Sequence, residues 1–155
     1  MPASTKILIA SDHAGFALKE KLEAQLVSLG YQAEDLGPDD EHSVDYADFA
    51  HALAERVSSG EVERGVLLCG TGLGMSYAAN RHPHVRAAVA WSPEIAALAR
   101  EHNDANVLVL PARFVDEAAG KAILQAWLDT PFAGGRHARR VEKIELPQHS
   151  TEAEA

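Results

Sequence analysis

Five short apolar runs alternate with longer stretches of helical periodicity along the chain, and that alternation constrains the fold more than any other feature. Strands separated by helices must cross over and lie parallel, and a parallel sheet has to be covered on both faces. Lys6 to Ala10 reads as the first strand, and Phe16 to Leu29 as a helix with Leu18, Leu22, Leu26 and Leu29 on one face, closed by Gly30. Tyr31 to Leu36 is the second strand and Asp45 to Ser59 the second helix, ended by Gly60. Gly65 to Cys69 is the third strand, with Met75 to Asn80 helical behind a glycine-rich loop. Val85 to Trp91 is the fourth, and Ser92-Pro93-Glu94 starts its helix as N-cap, N1 proline and acidic first turn. Val107 to Leu110 is the fifth strand and Asp116 to Leu128 its helix.

The pattern predicts an α/β fold: a three-layer αβα sandwich around a five-stranded parallel sheet, Rossmann-like or flavodoxin-like, with order 2-1-3-4-5 or a Rossmann-like variant. In such sheets ligands lie beyond the carboxyl ends of the strands, near the point where the order reverses. The 155 residues suit a single domain, with a core over about 6–130. Beyond it, Thr130-Pro131-Phe132-Ala133-Gly134-Gly135 is a turn-rich connector, and Arg136 to Ile144 reads as a short basic helix, so that 131–147 form a C-terminal helical arm. Such an arm packs on a neighbouring subunit or stays a solvated tail. Gln148 to Ala155 are polar or small and are expected to be disordered.

A formal net charge of −9 argues against nucleic-acid binding, which needs basic surface. The exception is local: Arg136, His137, Arg139, Arg140 and Lys143 crowd the arm, as a phosphorylated small ligand or an ordinary solvated face would explain. No apolar run reaches the ~20 residues needed to span a bilayer, and Met1 to Lys6 lacks a signal-peptide core, so the expected location is cytoplasmic.

Cys69 is the single cysteine, which excludes an internal disulfide or a paired-cysteine zinc or redox site. It stands between the apolar run Gly65-Val66-Leu67-Leu68 and the loop Gly70-Thr71-Gly72-Leu73-Gly74. It is either an inert buried residue or a thiol whose ionisation the main-chain amides and following helix start promote, lowering its pKa. The same amides can hold a substrate oxyanion. The glycine spacing is neither that of a dinucleotide loop nor of a P-loop, and Ser76 stands where a phosphatase loop would need arginine.

Ser11-Asp12-His13-Ala14-Gly15 puts a carboxylate and an imidazole after the first strand, although Asp12 can equally cap the helix. Asp45-Tyr46 opens the second helix with the same ambiguity. His102-Asn103-Asp104-Ala105-Asn106 joins the fourth helix to the fifth strand, either as a capping turn or as groups that grip a polyhydroxylated molecule. The eight histidines are scattered without metal-ligand spacing, and no metal is expected.

Ser11-Asp12-His13-Ala14-Gly15, Cys69-Gly70-Thr71-Gly72-Leu73-Gly74, Ala78-Ala79-Asn80, His102-Asn103-Asp104-Ala105-Asn106 and Gly134-Gly135-Arg136-His137, in that order, closely resemble type B ribose-5-phosphate isomerases over about Lys6 to Ile144. The resemblance implies interconversion of D-ribose 5-phosphate and D-ribulose 5-phosphate through a cis-enediol(ate), as in the pentose phosphate pathway, without metal or organic cofactor. It implies Cys69 as the base between C1 and C2, Thr71 as its neighbour serving the substrate oxygens, and His102 as the acid that opens the furanose ring. The amides of Gly70, Gly72, Leu73 and Gly74 would hold the enediolate oxygen. Asp12, Tyr46 and Asn103 would contact sugar hydroxyls, and His13, Arg113, Arg136 and Arg140 the phosphate.

One branch of that family uses a glutamate on the glycine loop instead of the cysteine. Met75 and Ser76 follow Gly74 here, so the chain resembles the cysteine-dependent branch. The resemblance further implies a homodimer or dimer of dimers with shared sites, the arm and His102-Asn103 crossing the interface. Allose-6-phosphate and galactose-6-phosphate isomerases are the rival enzymes, and a sugar-phosphate-binding module without catalysis is the rival of another class.

Overall fold

The computed structural model describes residues 5–147; the tail expected to be disordered, Gln148 to Ala155, lies outside them. Its elements, in chain order, are β1 (Lys6–Ser11), α1 (Phe16–Ser28), β2 (Gln32–Asp35), α2 (Tyr46–Ser58), β3 (Arg64–Cys69), α3 (Leu73–Ala79), β4 (Ala87–Val89), α4 (Pro93–Asn103), β5 (Val107–Pro111), α5 (Glu117–Asp129) and α6 (Arg136–Glu142). All four strand pairings are parallel.

Period-two alternation along the strands separates two cores. Leu8, Ala10, Leu67, Cys69, Val107 and Val109 pack under α2 and α3, against Leu53, Val57, Met75 and Ala79. Ile7, Ile9, Val66, Leu68, Leu108 and Leu110 face the other way, onto Leu22 and Leu26 of α1 and Ile123, Leu124 and Trp127 of α5. The predicted three layers therefore form. Trp127 is fully buried, and its indole N–H donates to the Ala105 carbonyl at 3.2 Å, so its polar atom is not stranded in the core.

Local signals explain where the helices begin and end. Ser92 accepts from the Ile95 N–H at 3.3 Å with Pro93 at the first turn, and Asp116 caps α5 by accepting from Ala119 N–H at 2.8 Å. α1 ends at Gly30, where Gly30 N–H bonds to Val27 and Tyr31 N–H to Leu26, both at 3.0 Å.

The strand order is β2-β1-β3-β5-β4, which corrects the order 2-1-3-4-5. The last two strands exchange places because of their side chains. Val107–Pro111 is apolar and buried along its whole length, so it needs a neighbour on each side. Ala87–Val89 has three half-buried residues, and the longer strand expected over Val85 to Trp91 is cut short by Arg86, whose side chain turns to the loop before β5. A short, weakly apolar strand belongs at an edge. The reversal of order that matters is unaffected: β1 lies between β2 and β3, so a crevice opens at the carboxyl ends of β1 and β3.

Candidate active site

Three loops are stitched together over that crevice. Asp12 N–H donates to the Leu68 carbonyl at 3.0 Å, tying the loop after β1 to β3. Ala112 N–H donates to the Cys69 carbonyl at 2.8 Å and Arg113 N–H to the Gly70 carbonyl at 3.1 Å, tying in the loop after β5. Asp12 is buried and accepts from the Gly15 N–H at 3.0 Å, so it closes the turn that precedes α1, whose N-cap is Gly15, and does not itself cap the helix. His13 accepts from the Val44 N–H at 3.3 Å through Nδ1, so its neutral ring carries the proton on Nε2, free to donate.

Cys69 ends β3 on the α2 and α3 side of the sheet and is 4% exposed. The Gly72 N–H donates to its sulfur at 3.1 Å, and the main-chain N–H groups of Met75 and Thr71 also favour the thiolate. Burial nevertheless dominates and pushes the thiol above its ordinary value, with the Asp12 carboxylate adding to the shift. The expected lowering of the Cys69 pKa is therefore reversed in the single chain: three donors do not offset desolvation of a sulfur anion.

Two glycines shape the loop. Gly72 turns with φ of +79°, a left-handed conformation that lets its N–H point back at the sulfur. Gly74 lies directly beneath the Tyr46 ring, where a methyl group would overlap the ring atoms. Tyr46, the first residue of α2, thus reaches the glycine loop, and the Arg113 side chain lies over Gly70 within van der Waals range. Thr71 is exposed at the mouth, its Oγ1 accepting from the Leu73 N–H at 3.2 Å; Leu73 is half exposed beside it. Asp12, His13, Tyr46, Cys69, Gly70, Thr71, Gly72, Leu73, Gly74 and Arg113 accordingly share one site.

His102, Asn103, Arg136 and Arg140 do not join them. His102 and Asn103 end α4, which runs back along the sheet to the start of β5. The following Asn106 accepts at its carbonyl from Gly65 N–H at the beginning of β3, so this segment lies at the amino edge of the sheet. At ~3.3 Å per residue, β5 alone separates it from the thiol loop by roughly 13 Å. There His102 stacks on His137, ring centroids 4.5 Å apart and planes at 14°, which docks α6 with its exposed Arg136 and Arg140. Partial desolvation, then the neighbouring charges of His102, Arg136 and Arg140, hold His137 below its ordinary value.

The stacking of His137 on His102 is not legible in the Gly134-Gly135-Arg136-His137 motif, because aromatic stacking between distant residues leaves no periodic trace. Val44, whose N–H orients His13, was invisible for the same reason, since any residue supplies a main-chain donor. Among the described residues, no three His, Cys, Asp or Glu side chains are grouped as a metal ion would require, and no helix is long and apolar enough to cross a membrane.

Comparison with known proteins places this geometry among relatives. A protein-family profile described as Ribose/Galactose Isomerase matches residues 7–144. Ribose-5-phosphate isomerase B of Escherichia coli is 44% identical over 139 residues, covering 90% of this chain and 93% of the relative. The crystal structure of a ribose 5-phosphate isomerase from Thermotoga maritima superposes with a TM-score of 0.87 at 51% identity, over 90% of this chain and 97% of that one. The Mycoplasma genitalium ribose-5-phosphate isomerase B, solved with bound ribulose-5-phosphate, gives a TM-score of 0.86 at 42% identity, over 90% and 93% of the two chains.

Proposed function

Since the chain belongs to the ribose/galactose isomerase family, we propose that it interconverts D-ribose 5-phosphate and D-ribulose 5-phosphate by a cysteine-dependent proton transfer through a cis-enediol(ate). The observation that carries the cysteine-dependent part is the buried sulfur of Cys69, faced by main-chain N–H groups in the crevice between β1 and β3. Moving a proton from C2 to C1 needs a base beside the carbon and donors on the oxygen where charge develops. Cys69 is the base, and the amides of Gly70 and Gly74 hold the enediolate oxygen, joined by those of Gly72 and Leu73 as substrate draws them from the sulfur and from Thr71 Oγ1, each well-aimed donor worth ~3 kcal/mol. Thr71 serves the adjoining oxygens, while Asp12 and Tyr46 take sugar hydroxyls. His13, through Nε2–H, and Arg113 take the phosphate.

The residues at the other edge complete the site from a second copy of the chain. His102 opens the furanose ring as an acid, Asn103 binds a hydroxyl, and Arg136 and Arg140 close on the phosphate. Their distance from Cys69 within one chain supports this reading, because only a second copy, with its amino edge set over the carboxyl edge of the first, can bring them to the sulfur. The same association bears on the sulfur's charge: the incoming guanidinium groups of Arg136 and Arg140 oppose the desolvation that keeps the lone-chain thiol protonated.

Ribose 5-phosphate incubated in deuterium oxide tests the reading. The wild-type protein should yield ribulose 5-phosphate carrying solvent deuterium, while Cys69→Ala should lose turnover and exchange by at least roughly 10³-fold with its fold intact. Binding without exchange would leave a non-catalytic module, and a higher kcat/KM for allose 6-phosphate or galactose 6-phosphate would reassign the substrate.

A further inference from the structure

Both α1 and α2 are closed by a left-handed glycine, Gly30 at φ +93° and Gly60 at φ +82°. α4 is closed by Asp104 in the same region, at φ 49° and ψ 45°. Outside glycine that conformation is disfavoured, and aspartate is tolerated there mainly when its side chain is engaged. Here the carboxylate lies between two arginines. Its Oδ1 accepts from Arg100 Nη1 at 2.8 Å, and Arg86 Nη2 lies 3.5 Å from Oδ2.

The arginines also hold the backbone around it. Arg86 Nε donates to the Asp104 carbonyl at 2.8 Å, and Arg100 Nη1 to the Ala105 carbonyl at 2.9 Å. Arg100 Nε donates to the Thr130 carbonyl at 3.3 Å, where the connector to α6 begins, and Ala133 N–H donates to the Glu101 carbonyl at 3.0 Å. Three segments therefore meet on one guanidinium: the end of α4, the loop before β5 and the root of the arm. Arg86 and Arg100 side chains are only 19% and 14% exposed, so the cluster is not a loose surface pairing.

We propose that Asp104, clamped between Arg86 and Arg100, is a positioning residue that presents His102 for opening the sugar ring, with Arg100 locking the arm to the same frame. The inference rests on the reading of His102 as the ring-opening acid. Asp104 touches no substrate. It sets the angle at which α4 terminates, and hence where the imidazole two residues earlier is aimed, while the stacked His137 limits the ring's rotation. A lysine at position 100 would keep the charge but could not bridge the carboxylate and two carbonyls with a planar fork.

Ribulose 5-phosphate is acyclic, so solvent deuterium exchange at its C1 needs proton transfer but no ring opening, whereas turnover of ribose 5-phosphate needs both. Asp104→Asn and Asp104→Gly, which both tolerate the left-handed turn, and Arg100→Lys should keep wild-type mass by light scattering. At saturating ribulose 5-phosphate their C1 exchange should stay within about twofold of wild type, while kcat on ribose 5-phosphate falls at least roughly tenfold. His102→Ala, measured alongside, should show the same split more strongly. If His102→Ala shows it and neither the Asp104 nor the Arg100 variants do, the clamp is mere scaffolding and the proposal is overturned while the function stands. No split in His102→Ala overturns the ring-opening assignment, and the clamp's role falls with it. Should the Asp104 variants fail to fold, Arg100→Lys alone decides.

Discussion

Cys69 combines a feature that the sequence made legible with one that it concealed. Its place at a strand end before a glycine loop was readable, because apolar run and glycines are contiguous. The sign of its pKa shift was not, because burial depends on a core to which distant residues such as Leu53 of α2 and Val109 of β5 contribute. In the single chain the folded thiol binds its proton more tightly than the unfolded one, so its contribution to stability is complete below the ordinary thiol range and is lost as pH rises through the shifted value. Cys69→Ala should therefore flatten the decline of Tm above about pH 9 when both proteins are dilute enough to remain single chains. Iodoacetamide should alkylate the wild-type protein at lower pH than it does Arg136→Met/Arg140→Met, since the proposed association sets the arm's cations beside the sulfur; identical profiles would remove them from its surroundings. Gly74 makes a second residue-scale case: Gly74→Ala must displace the Tyr46 ring, raising KM by roughly tenfold or more with Tm little changed.

At the scale of elements, β2 shows how a weak strand is held. Gln32–Asp35 has no buried residue and sits at the sheet edge, where hydrophobic burial contributes little. Glu34 compensates by pairing with Lys6 of β1 at 2.7 Å and with Arg56 of α2, whose guanidinium also binds Glu61. Hydrogen bonds from Arg56, then Lys6, hold the Glu34 carboxyl at about 2 instead of 4.5. Its stabilisation is complete above about pH 4.5 and fades as pH falls toward about 2. Arg56→Met should make Tm lower at pH 6 and less steep across that acidic range; an unchanged slope would mean the partly exposed pair contributes nothing. Helix boundaries were readable from Ser92, Pro93, Gly30 and Gly60 because caps act within a few residues. The exchange of β4 and β5 was not, because strand order depends on which strand needs two neighbours.

At the scale of the molecule, the site residues divide between two ends of one sheet, and large apolar side chains stand exposed at the thiol end: Leu73, Tyr77, Trp91 and Phe114. A second copy that covers this rim would exclude water from the sugar and deliver the missing acid. Mixing two inactive variants tests the arrangement. Cys69→Ala and His102→Ala subunits, unfolded and refolded together in equal amounts, should recover about a quarter of wild-type activity, because half the dimers are mixed and each has one intact site. No recovery would confine each site to a single chain.

The chain's own residues determined the layered α/β plan, the helix ends and the thiol loop, because periodicity, capping and glycine content act over short stretches. Tertiary structure alone decided the position of β4, the direction in which Cys69 titrates, and the separation of His102 from the sulfur. Each of those depends on what stands next to what once the strands are paired, and neighbours brought together across tens of residues leave no mark in local sequence.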